Sequence, residues 1–256
     1  MLLGLAGFLR YEGAGRYWLA GAFAALTAVK PHVLYLFWVA LALHSLQPPR
    51  WRVLGGAVTA LLAATAAATV FNPAVIGQYI QATVRNGPFW WHTPTLGGLL
   101  RSVFGAERHV LQYAPMVLGL SWLAVHWRGA SGRWCWIEQM PLLVTVSVAT
   151  APYGWTFDHV VLLAMLLPAA RKLAAVRAKM AASALAFAAV GVNLAALGLR
   201  KLWNNDAAYW WLAPAWLIWF LGFSRCVGTP IWAPDLDSKG EGKNTLERDA
   251  IRHGAD

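Results

Sequence analysis

Charge is what this sequence has least of. Only 12% of its 256 residues are Asp, Glu, Lys or Arg, against 59% apolar, and soluble domains carry about 25% charged residues. No soluble domain could be cut from such a chain except its tail. Cysteine is nearly absent as well. Cys135 and Cys226 stand alone, with no CxxC or His/Cys spacing, so neither a disulfide framework nor a zinc site is indicated. There is no GxGxxG or Walker pattern, and Gly97-Gly98 reads as a flexible turn rather than a phosphate loop. Gly-x-Ser sequences lack a partnered histidine, which argues against acyl transfer. The histidines at 32, 92, 109 and 159 match no short ligand motif, so no metal or other cofactor is implied. The net charge of +10 would suggest nucleic acid in a soluble protein. In a membrane chain it follows from Lys and Arg in cytoplasmic loops, and nucleic acid is not an expected partner.

What is present is apolar length. Runs long enough to enter a bilayer recur from end to end, which predicts an all-α, polytopic transmembrane helical bundle of seven to eight segments. The spans are read at 17–29 and 33–46, then 52–71, 110–127, 139–150, 159–170, 179–199 and 207–223. Residues 1–223 form one membrane domain, and 224–256 read as a disordered cytoplasmic tail. The connection 72–109 is long, polar and aromatic. Sixteen Trp near predicted segment ends suggest interfacial belts. Met1–Phe8 has no basic region and no cleavage site; it reads as the stub of a helix, as expected for the C-terminal part of a longer protein.

Lys30-Pro31-His32 interrupts the apolar stretch 17–46. A cation there is tolerated only if it faces water, a partner or a polar ligand. Pro31 removes a helix N–H and biases Lys30 away from helical geometry. Treating 17–46 as a hairpin with this tripeptide at its outer turn puts ten basic residues on the inner side outside the tail. Six remain on the outer side: Lys30, Arg85, Arg101, Arg108, Arg200 and Lys201. That bias favours loop 72–109 lying outside the cytoplasm. Each hairpin leg is too short for a core of about 30 Å, so the turn is expected below the outer surface in a protein-lined cavity. This topology gathers Lys30, His32, Arg85, Trp90, Trp91, His92, Thr93, Arg101, Asp158 and His159 at one face.

The motifs AG…LT-x-x-KPH, RWR before the next span, NGPFWWHTPTLGGLLRSVFG and APYGWTFDHVVLLAMLLP occur in this order. Together they resemble the C-terminal half of GT-C membrane glycosyltransferases of glycosyltransferase family 87, which are similar in architecture to polyprenol-phosphate-mannose-dependent α-mannosyltransferases. The resemblance implies a plasma-membrane, multi-pass hexosyltransferase acting on the extracytoplasmic side. Its donor would be a polyprenyl-phosphate sugar, mannose in the first instance, and its acceptor a glycan or glycolipid. It also implies a general base in an outer loop near the family's N-terminus, before the point where this chain begins.

Within that frame Lys30 and His32 are candidates for the donor phosphate, where charge develops as the sugar leaves. Arg85 and Arg101 could extend the patch. Trp90, Trp91, His92 and Thr93 suit a sugar face, with His159 beside them. Asp158 is both a good helix-start residue and the best carboxylate to act as base if the chain works alone. The alternative is a non-enzymatic transporter or lipid-binding scaffold, since broken helices with a charge at mid-depth occur there too.

Overall fold

The structure is a computed structural model, describing residues 1–85, 91, 93–130, 134–175, 179–202 and 205–227. Its described residues form eleven α-helices joined by turns and short 3-10 segments. They are α1 Leu2–Gly13, α2 Tyr17–Ala25, α3 Tyr35–Ser45, α4 Trp51–Phe71, α5 Val75–Arg85 and α6 Leu96–Phe104. The remainder are α7 Ala114–Ala130, α8 Trp136–Ala149, α9 Leu163–Ala175, α10 Lys179–Leu202 and α11 Leu212–Val227. The all-α expectation holds, and the expected span positions fall on α2, α3, α4, α7, α8, α9, α10 and α11.

Span length is where expectation and structure part. Among the described residues two helices are long and apolar enough to cross a membrane, Trp51–Phe71 and Ala182–Leu202; the segments Tyr17–Val29, Tyr35–Ser45 and Trp136–Ala149 are shorter. The two long helices are also poorly covered, with 17% and 0% of their most apolar windows buried.

The chain reverses at Lys30-Pro31-His32. Helix α2 runs on as a 3-10 turn, Leu26–Val29, and α3 starts at Tyr35. Trp18, at the start of α2, packs its ring 6.2 Å from that of Trp51 at the start of α4. His44, at the end of α3, approaches Glu12 near the end of α1 at 3.4 Å. A helix that crossed once through residues 17–46 would hold these two ends far apart, so 17–46 turns back. The two legs are splayed rather than paired. Phe8 of α1 sits between them and meets Phe37 edge-on at 5.2 Å, while α2 packs against α4 instead. Gly21 and Gly56 make that second contact possible: a methyl group at either would collide with the Val53 or Trp18 carbonyl. Close backbone approach through glycine is the usual way helices associate without a hydrophobic drive between them.

The connection 72–109 contains two helices, α5 and α6. Three further expectations are corrected. Gly97-Gly98 is not a flexible turn: it lies in the first turn of α6, capped by Thr95 Oγ1 accepting from Gly98 N–H at 3.1 Å. Either glycine's Cβ would strike the Gln112 or Thr93 carbonyl. The tryptophans do not all form a belt, because Trp134, Trp136, Trp216 and Trp219 are buried in the core. Amphipathic rings fill helix–helix space as readily as they sit at an interface, and composition does not distinguish the two. Residues 224–227 belong to α11 rather than to a tail; the rest of the expected tail lies outside the described residues.

Candidate functional site

Pro31 breaks the ladder of 17–46, and α8 supplies what the break leaves open. Ser147 Oγ donates to the Val33 carbonyl at 2.9 Å and accepts the Leu36 N–H at 3.3 Å. Tyr35 Oη meets Thr150 Oγ1 at 2.7 Å and lies 3.3 Å from the Met116 carbonyl. Interrupted helices at membrane depth are tolerated when a neighbouring Ser or Thr re-satisfies the backbone in this way. The break is therefore a built feature held against α7 and α8.

Just after α8, the segment Ala151–Trp155 leads into a 3-10 turn, Thr156–Leu162. Asp158 starts this turn by accepting the Trp155 N–H on Oδ2 at 2.9 Å. Its other oxygen, Oδ1, accepts from Lys30 Nζ at 2.6 Å, with the lysine side chain 25% exposed and the aspartate 4%. Lys30 Nζ also lies 4.1 Å from the Phe157 ring centroid, within cation–π range. A capping residue and the cation of the broken hairpin, 128 positions apart, thus form one ion pair. Charge-assisted bonds of this length are the strong kind.

Aromatic rings border the pair. His32 stacks on Tyr153 with centroids 4.0 Å apart. Trp91 lies 6.4 Å from Tyr153 and 6.0 Å from Trp155, and Phe157 is exposed.

The other expected site residues divide. His159 is next to Asp158, and its Nδ1 is buried without a hydrogen-bond partner among the described residues. Arg101 is drawn elsewhere: buried, it donates to the Ala106 carbonyl from Nε and Nη2 at 3.1 and 2.7 Å and to Gln112 Oε1 at 3.0 Å. Gln112 in turn donates to the Pro152 carbonyl and to Thr93 Oγ1 at 3.3 Å. Arg101 and Thr93 therefore serve a buried polar clamp that fastens α6 to the segment Ala151–Trp155, which is a positioning role. Arg85 sits exposed at the end of α5. Trp90 and His92 lie outside the described residues.

Tyr153, Trp155 and Phe157 are the residues that sequence reasoning passed over. The APYGWTFD string did contain a signal: three aromatic rings within five positions, directly before the Asp that starts the turn.

An apolar cavity of about 260 Å³ lies next to this end, between α1, α8 and α9, with Leu2, Leu5, Met140, Leu163 and Leu167 in its lining. The start of α1 abuts Leu26 and Thr27, and α9 begins where the Asp158 turn ends. Leu2 and Leu163 carry one side of the lining toward the Asp158 turn, while Met140 lies in the first half of α8.

The helices around the break differ in length. Helix α4 has 21 residues, about 31 Å at 1.5 Å per residue, and α8 has 14, about 21 Å. Helix α8, which ends beside Tyr35 and Thr150, is thus about 10 Å shorter than α4.

Comparison of the chain with protein-family models, curated proteins and solved structures returned no match, so the glycosyltransferase resemblance rests on the motifs quoted above.

Proposed function

We propose that the chain is a multi-pass membrane hexosyltransferase, using a polyprenyl-phosphate sugar, mannose in the first instance, to glycosylate an extracytoplasmic glycan or glycolipid. The observation that carries this reading is the Lys30–Asp158 pair, bordered by aromatic rings, in a bundle that also holds an apolar cavity between α1, α8 and α9. That combination suits an amphiphile with an anionic linkage. The hydrocarbon chain matches the cavity, the phosphate matches Lys30 Nζ and the His32 N–H, and a sugar face matches Trp91 and Trp155. Two poorly buried apolar helices support the membrane setting, because a soluble core helix of that hydropathy would be covered. A recess at the end of α8, a helix about 10 Å shorter than α4, suits chemistry on a lipid phosphate inside the outer leaflet.

The mechanism we infer is direct displacement. The acceptor hydroxyl attacks the anomeric carbon, the carbon–oxygen bond to phosphate breaks, and polyprenyl phosphate leaves with the electron pair. Asp158 cannot act as base while Lys30 occupies Oδ1. When the donor phosphate draws Lys30 away, Oδ1 loses its partner and can take the acceptor's proton. One pair thereby serves both expected roles, and proton removal waits for the donor.

The test supplies membranes containing the protein with radiolabelled polyprenyl-phosphate mannose and follows label into glycan. Lys30→Met should abolish donor binding, and Asp158→Asn should keep donor binding but stop transfer. Solute or lipid flux without labelling would overturn the enzyme and favour the transporter or scaffold.

A further inference from the structure

Helix α5 is the least covered element of the fold: none of its residues is buried. Its composition is divided all the same. Ile76, Tyr79, Ile80 and Val84 are 50%, 73%, 57% and 78% exposed and recur at the spacing that lines one helical face. Gln78, Gln81 and Arg85 lie off that face, and 72–85 contains no Asp or Glu. An apolar stripe of this kind in water is unfavourable in proportion to its area, so something covers it.

The attachment of α5 identifies the cover. It follows α4 across Asn72-Pro73-Ala74, and the last residues of α4, Val70 and Phe71, are 81% and 90% exposed. The corner is fixed rather than loose. Asn72 Oδ1 accepts the Ala74 N–H at 3.1 Å, Asn72 Nδ2 donates to Gln78 Oε1 at 2.8 Å, and Val75 N–H donates to the Asn72 carbonyl at 3.0 Å. The uncovered apolar surface of a membrane-length helix thus continues round a rigid corner onto the apolar face of α5. The length of α4, about 31 Å for 21 residues, matches a hydrocarbon core of about 30 Å, which sets that corner at the boundary between chains and headgroups.

We propose that α5 lies in the outer interface of the bilayer, its Ile76–Tyr79–Ile80–Val84 face among the upper acyl chains and its glutamines among the headgroups. The inference rests on the membrane reading above and is independent of the sugar chemistry. It gives the protein a second anchor at a known height and holds the aromatic recess at a constant depth below the headgroups.

The experiment uses the full chain with Cys135 and Cys226 changed to Ser, reconstituted in vesicles of phosphatidylcholine with phosphatidylglycerol. Single cysteines replace Leu62, Ile80 or Gln81, each an exposed position, and carry an environment-sensitive fluorophore. Lipids bearing a nitroxide high on the acyl chain should quench the Ile80 probe at least threefold more than the Gln81 probe. Aqueous iodide should show the reverse order. Equal iodide access at both positions, without lipid quenching, would overturn the proposal by placing α5 in water. Protection of Ile80 from both quenchers would overturn it by showing a protein cover. The Leu62 probe separates the two readings: it should respond to a nitroxide deep in the acyl chain whatever α5 does, and if it does not, the membrane reading itself fails.

Discussion

Two polar clusters sit at opposite ends of this bundle, and they are built to different rules. At one end His44, 1% exposed, is held on both ring nitrogens. Arg50 Nη1 lies 3.3 Å from Nδ1, and Glu12 Oε1 lies 3.4 Å from Nε2. A guanidinium only donates, so Nδ1 accepts and Nε2 carries the hydrogen toward Glu12. Arg50 also donates to Gln47 Oε1 at 2.9 Å. At the other end the Lys30 ammonium has one carboxylate, one ring face and 25% exposure. The first cluster is a closed set of bonds that ties α1 to α3. The second keeps donor capacity on the cation and borders it with exposed rings. A buried polar group that is fully used stabilises; one with capacity left over can meet a ligand.

The sharpest way to break this contrast is to remove one member from each end. Lys30→Met should lower transfer from polyprenyl-phosphate mannose by at least about 100-fold, because transition-state charge loses its partner, while the protein remains folded by circular dichroism. Glu12→Ala should do the opposite. It leaves the His44 N–H buried and unpaired, lowering stability in detergent unfolding by about 2 kcal/mol, with transfer per folded molecule unchanged within about twofold. Loss of transfer in Glu12→Ala at full stability would erase the distinction. A smaller effect is expected from the aromatic border. Trp155→Ala should raise the acceptor KM about fivefold, corresponding to about 1 kcal/mol for one ring contact, with little change in donor affinity.

Much of this was legible from residues. Apolar runs placed eight of the eleven described helices to within about five positions but left α5 and α6 unread, and the count of basic residues grouped Lys30 with Asp158, which the structure brings together. The pairing of Lys30 with Asp158 could not be read. A salt bridge between elements 128 positions apart leaves no spacing signal, and each residue had a sufficient local explanation, one as a snorkelling lysine and one as a cap. Arg101 misled for the converse reason: a loop arginine looks free until Gln112 and the Ala106 carbonyl are seen around it. Composition also could not say which tryptophans are core. Trp136 is buried because Phe8, Phe37 and His44 close on it, and those neighbours come from two other helices.

The 128 positions between Lys30 and Asp158 also measure time. At a synthesis rate of about 5–20 residues per second, the ribosome takes roughly 6–26 s to pass from one to the other. Ser147 and Thr150, which settle the backbone at the break, emerge almost as late. During that interval Lys30 and the backbone at the break wait for partners that only the later part of the chain supplies.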